Sequence, residues 1–327
     1  MFRAYQLLAV SLLIIASTTF AGETAVFSRQ TVKVNEITLH YEFADAMSAA
    51  KEQEFTQLID AGVSHFKQMF NGYPRDLRGN SYTDITVRIR HGKHLSGEAD
   101  PQLLLLTWSD TTMFGAHSWQ TMLLHEIFHL WNAESFRYQD GREHWFNEGF
   151  SEFYAFQAAS QLGIIAGGDA LAIAAQPIGF YHSAAGLQNL SMRAAGGNNK
   201  AKFENYFLVY HGGWVVAMVL DQDIRRRTEN KHSLDDAMHW LYQHFNRAEK
   251  FYNLEDIVAA IKQTSGLNYQ SFFVSLVDGT GIIPVAEYFD LGKALWDYEF
   301  NPKYQHKHRY LYYSLGVWPE SVVDSDE

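Results

Sequence analysis

The sequence predicts an α+β protein, a small β-sheet lobe followed by a mostly helical lobe with a cleft between them. Three observations carry this expectation. Apolar residues alternate with a period of two only in the first third of the chain, which is the pattern of half-buried strands. From Ser118 onward apolar residues recur at helical spacing and are punctuated by helix caps and stops. A His-Glu-x-x-His element, which needs a helix to bring its two imidazoles together, sits where the two patterns meet.

Taken in order, residues 1–21 read as a secretory signal. Arg3 supplies a positive start, 7–16 is an apolar run of about ten residues, too short for a membrane span, and Thr19-Phe20-Ala21 offers small residues at the two cleavage positions. Residues 22–117 form the expected β-rich lobe. The stretch 31–43 alternates, with Val32 and Val34 on one face and then Ile37, Leu39, Tyr41 and Phe43 together after Asn35-Glu36. The stretch 46–70 has few breakers and helical spacing, with Phe55, Leu58, Val63 and Phe66 among its apolar positions. Ile85, Val87 and Ile89 mark a second strand, and Leu103–Trp108 a third, placed at the sheet edge next to the following helix.

Residues 118–300 form the helical lobe, with helices expected over Ser118–Asn132, 145–162, 206–224, 234–245, 254–263 and 269–277. Ser233 ahead of Asp235 and Asp236 starts a helix, because the hydroxyl caps free N–H groups and the acids meet the positive end of the dipole. Gly163 and Gly266 are helix stops, and Gly196-Gly197-Asn198-Asn199 reads as a mobile loop. Residues 301–327 are left as a C-terminal tail.

Composition narrows the function. With 47% hydrophobic and 15% aromatic residues in 327, the chain has enough apolar material for one large core or two packed lobes. A formal net charge of -11 argues against nucleic acid or an anionic membrane as the main partner. There is no cysteine, which removes disulfides, thiolate ligands and a thiol nucleophile together. Any metal must therefore be held by His, Asp or Glu.

His125-Glu126-Ile127-Phe128-His129 supplies such a set. Positions four apart share a helix face, so both imidazoles can reach one ion, while Glu126 is placed to touch water beside it without ligating. A catalytic zinc takes three protein ligands and keeps a position open. The third ligand is expected from the next helix: Glu148, in Trp145-Phe146-Asn147-Glu148-Gly149-Phe150, lies nineteen positions after His129 (148 minus 129), with eighteen residues between.

This spacing is the signature of the gluzincin metallopeptidases, whose catalytic domain is thermolysin-like. Within that group the chain resembles the glycyl aminopeptidase family (peptidase family M sixty-one). The resemblance lies in His125 to Asn132, in Glu148-Gly149-Phe150-Ser151-Glu152-Phe153-Tyr154, in Tyr210-His211-Gly212-Gly213 and in Leu220-Asp221-Gln222-Asp223-Ile224-Arg225. It extends to Ser233-Leu234-Asp235-Asp236 and, more weakly, to Asp278-Gly279-Thr280-Gly281. It implies zinc held by His125, His129 and Glu148, with Glu126 as general base. It implies Glu152 orienting a ligand histidine, Tyr210 donating to the oxyanion with Tyr206 one turn earlier as competitor, and peptides as substrates cut at small amino-terminal residues.

The chain also departs from that family. Gly212 stands where the family usually has Lys. The large N-terminal β-sandwich is reduced to a short β-region, and no room remains after Gly281 for a PDZ-like module. The motif whose Glu binds the substrate amine is missing, leaving Glu98, read as a loop residue, as the weak substrate-binding candidate. An exported endopeptidase of the same fold, another zinc hydrolase and a zinc-binding module without hydrolysis remain as alternatives. The oligomeric state is not legible. The remaining histidines, among them His117, His144, His182, His211 and His244, lack ligand spacing and are expected to pack or face solvent.

Overall fold

A computed structural model of the protein describes residues 28–109, 117–246, 249–301 and 307–317. The expected secretory signal over 1–21 lies outside the described residues. Among those described, no helix is long and apolar enough to cross a membrane.

The first lobe is built on strands β1 (Ser28–Val34), β2 (Ile37–Phe43), β3 (Asp84–His91), β4 (Ser96–Asp100) and β5 (Leu103–Trp108), with helix α1 (Ala49–Phe70) crossing over between β2 and β3. The sheet order is β1-β2-β3-β5-β4. β2, β3 and β5 run parallel, and the two outer strands pair antiparallel. The alternating stretch 31–43 is a hairpin rather than one strand. Asn35 takes a φ of 56°, a left-handed conformation that Asn tolerates, so Val34 faces Ile37 across a two-residue turn. The alternation survives the turn, for Ile37, Leu39, Tyr41 and Phe43 are all buried. Tyr41 ties the sheet to α1 by donating its hydroxyl to Asp60 at 2.5 Å.

The edge of the sheet is where the sequence misleads. Leu103–Trp108 is not the edge strand; it lies between β3 and β4, which accounts for its continuous run of leucines, since an interior strand buries both faces. The edge is β4, Ser96-Gly97-Glu98-Ala99-Asp100, and Glu98 therefore sits on a strand opposite Leu105 rather than in a loop. An edge strand of small and acidic residues leaves no apolar alternation to read, and such residues protect a free edge from unwanted pairing.

The helical lobe comprises α2 (Ser118–Asn132), α3 (His144–Gln161), α4 (Gly167–Ala174), α5 (Gln176–His182), α6 (Met192–Gly196), α7 (Asn199–Glu204), α8 (Gly212–Arg227), α9 (Leu234–His244), α10 (Leu254–Ser265), α11 (Gln270–Leu276), α12 (Leu291–Phe300) and α13 (Arg309–Leu315). The predicted caps are present: Ser233 and Asp236 form a reciprocal capping box, and Gly163 and Gly266 take φ of 72° and 73°. Gly196 to Asn199 holds only a two-residue link, however. Gly196 closes α6 and Asn198 caps α7 by accepting from the Ala201 N–H, so two short helices abut there. The helix expected over 206–224 opens with a π-helical turn, Phe207–His211, before α8. In the stretch set apart as a tail, α13 is packed: Leu311, Tyr312 and Leu315 are buried, and Ser314 donates to Asp221 at 2.6 Å.

Helix α3 meets α8 backbone to backbone. A Cβ on Gly149 would stand 2.4 Å from the Gly213 Cα, and one on Gly213 would stand 2.0 Å from the Trp145 carbonyl oxygen. Only glycine at both positions allows this approach, which sets the turn that carries Tyr210, just ahead of α8, against α3.

Candidate metal centre

From Leu123 to Asn132 helix α2 is buried on every side, so its two histidines and Glu126 are held in a protein interior. His125 Nε2 and His129 Nε2 lie 2.9 Å apart. Glu148, one turn into α3, brings Oε2 to 3.4 Å from each of them. The three ligand atoms lie within 4.8 Å of one another, and all three residues are buried. Two imidazole nitrogens and a carboxylate oxygen converge on one point with their lone pairs, an arrangement that a cation satisfies and apolar packing does not. With no sulfur in the set, it fits the His-His-Glu donor group of a catalytic zinc.

The geometry between α2 and α3 rests on a reciprocal amide clasp. Asn132 Nδ2 donates to the Asn147 carbonyl at 3.0 Å, and Asn147 Nδ2 donates to the Asn132 carbonyl at 2.9 Å. This fixes the end of the histidine helix to the residue preceding Glu148. Ser151 donates to the Asn147 carbonyl at 2.7 Å and lies 3.3 Å from His129 Nδ1. With its own proton so engaged, the hydroxyl accepts from Nδ1–H, which leaves His129 Nε2 as the lone-pair donor. Glu152, one turn beyond Glu148, places Oε1 3.6 Å from His125 Nδ1.

Glu126 is buried beneath the edge strand. A Cβ at Gly97 of β4 would stand 2.4 Å from the Glu126 Cγ, so β4 crosses this carboxylate at van der Waals contact. Burial pushes the Glu126 carboxyl up to about 7; the His125 imidazole opposes the shift, and the carboxylates of Glu148, Glu152 and Glu98 add to it. Burial alone would raise Glu148 as well, but the Lys202 ammonium and the two imidazoles outweigh it and hold that carboxyl well below the usual range. Lys202, on α7, donates to Glu148 Oε1 at 2.5 Å.

Tyr206 and Tyr210, four apart around the π-helical turn, stack with ring centroids 4.1 Å apart. Burial drives both phenols well above their ordinary value. Glu152 is the first charged neighbour to act on Tyr206, and Glu148 the first to act on Tyr210. Both tyrosines thus lie in the field of Glu148 and Glu152. Glu98 is exposed on β4; since Gly97 faces Glu126, strand alternation turns Glu98 to the opposite face of the sheet. Among the other histidines, His144 is held structurally, its Nδ1 2.6 Å from the Gly196 carbonyl and its Nε2 3.1 Å from the Tyr138 hydroxyl.

Sequence reasoning passed over Gly97, Ser151 and Lys202. Ser151 had a readable signal, three residues beyond Glu148 on the same helix. Gly97 and Lys202 had none, because each reaches the site from an element whose placement depends on the tertiary fold.

No family model matches the sequence, and no curated protein matches it. Solved structures do match. One is an aminopeptidase N family protein from Idiomarina loihiensis, with a TM-score of 0.69 at 16% identity, over 80% of this chain and 48% of that one. Another is an M1 zinc metallopeptidase from Deinococcus radiodurans, with a TM-score of 0.56 at 16% identity, over 79% of this chain and 53% of that one. A mutant of the latter bound to a Tyr-Ser-Ala substrate matches with a TM-score of 0.55 at 16% identity, over 80% of this chain and 54% of that one. The chain thus spans about half the length of the solved structures it resembles. Its fold is that of these solved structures, α+β with the helical lobe following the sheet, and the buried His125–His129–Glu148 group fits a zinc site within it.

Proposed function

We propose that the chain is a zinc-dependent peptidase, exported through its first twenty-one residues and acting on peptides with small amino-terminal residues. The observation that carries the reading is the convergence of His125, His129 and Glu148 with Glu126 buried beside them, outside the ligand set. When bound, zinc supplies a Lewis acid that polarises a scissile carbonyl and acidifies water. Glu126 takes the proton of the attacking water and delivers it to the leaving nitrogen. Tyr210 donates its hydroxyl to the oxyanion; a phenol driven well above its ordinary range stays protonated and remains a donor.

Tyr210 is favoured over Tyr206 on the family resemblance, and its ring lies 5.7 Å from the Lys202 ammonium that holds Glu148. Tyr210→Phe should lower kcat roughly a hundredfold with KM little changed. If Tyr206→Phe produces that loss instead, the oxyanion donor is one helical turn earlier.

The preference for amino termini rests on the resemblance to the glycyl aminopeptidase family and on the aminopeptidase fold. One observation favours an endopeptidase instead. The inner face of the edge strand carries Gly97 and Ala99 and no charge for a substrate amine, while Glu98 faces the other way. The experiment compares one peptide with free and acetylated amino termini, each with and without chelator. Chelator-sensitive cleavage of the free peptide alone is the expected result. Equal cleavage of both forms transfers the reading to an endopeptidase, and cleavage indifferent to chelator removes the metal from the reaction.

A further inference from the structure

Glu148 divides its two oxygens between different partners. Oε2 is the atom 3.4 Å from both imidazole nitrogens, and Oε1 accepts from Lys202 Nζ at 2.5 Å. We propose that Lys202 is a positioning residue that holds Oε1, so that Glu148 presents only Oε2 to the metal. The proposal rests on the reading of His125, His129 and Glu148 as ligands.

The lysine is not in this place for want of a surface. On the same helix Lys200 is 84% exposed, whereas the side chains of Lys202 and Glu148 are 10% and 9% exposed. Asn198 caps α7 through the Ala201 N–H, which fixes the direction in which the helix projects Lys202. The rings of Phe203 and Tyr210 lie 5.0 Å and 5.7 Å from its ammonium, so aromatic faces replace part of the lost hydration. Burying an ammonium costs much unless it is paired, and the carboxylate oxygen that pairs it belongs to a candidate ligand.

The consequence is for coordination. A carboxylate with both oxygens free can grip a metal through both, filling a position that a substrate carbonyl needs. With Oε1 tethered, Glu148 would bind a metal through Oε2 alone and leave that position open. The ammonium also draws charge from the carboxylate and weakens it as a donor. A lysine that merely fastened α7 to α3 would influence stability without altering the metal's surroundings.

The test uses the full chain loaded with cobalt(II), whose visible absorption weakens as coordination number rises. The proteins are wild type, Lys202→Met, Lys202→Gln and Lys202→Arg, each checked for fold by circular dichroism and for cobalt content. Met removes the tether, and Gln is too short to reach Oε1 while remaining polar enough to be accommodated. Both should keep about one cobalt per chain, show a weakened and shifted visible band, and lose roughly tenfold or more in kcat. Arg, which can still donate to Oε1, should restore most of the band and of kcat. A visible band unchanged from wild type in the Met and Gln variants overturns the proposal, even if their melting temperatures fall. A wild-type chain that takes up no cobalt overturns the ligand reading and this proposal with it.

Discussion

Glu126→Gln should lower peptide hydrolysis by at least about a hundredfold while leaving metal content and fold at the wild-type level. The substitution removes a base and keeps the volume, and Glu126 is no part of the ligand set. Burial pushes its carboxyl up, and a carboxylate can accept and return a proton, which an amide cannot do. The measurement is kcat on a chelator-sensitive peptide together with metal content by atomic emission. Near-normal turnover in the metal-loaded variant would show that the base lies elsewhere. Gly97→Ala offers a second approach to the same carboxylate, since the added methyl would stand 2.4 Å from its Cγ. It should displace Glu126, lowering kcat with the metal retained.

His129→Ala should abolish metal retention through dialysis and, with it, chelator-sensitive hydrolysis. Two remaining ligands cannot match three, and the loss falls on a donor whose tautomer the Ser151 contact sets. Full metal content in this variant would falsify the assignment of the ligands. The pair of variants separates binding from chemistry: one empties the site, and the other leaves it full and idle.

The sequence and the structure agree where information is local. The helical spacing of His125 and His129, the capping box at Ser233, the stops at Gly163 and Gly266, and the burial of Ile37, Leu39, Tyr41 and Phe43 follow from periodicity and backbone preference. They disagree where an element is defined by its neighbours. β4 is a strand because β5 lends it hydrogen-bond partners; its own residues, Ser96 to Asp100, would pass for a loop in isolation. The short helices α6 and α7 flank a Gly-Gly-Asn-Asn run that spells a loop, yet its first Asn, Asn198, serves as the cap of α7.

The sequence by itself determined the chemistry of the centre: two imidazoles one helical turn apart, a carboxylate nineteen positions further on, and no sulfur to compete. These follow from residue types and spacing, which a helix converts directly into geometry. Only the tertiary structure decided what surrounds those donors. Lys200 and Lys202 are alike in sequence and stand on one short helix, but the second turns inward to Glu148 and the first lies in solvent. Gly97 is one glycine among 23 until the edge strand is laid across Glu126, where any larger residue would strike the carboxylate. Periodicity reports which face of an element is buried, and only the contact between elements determines which atoms that face meets.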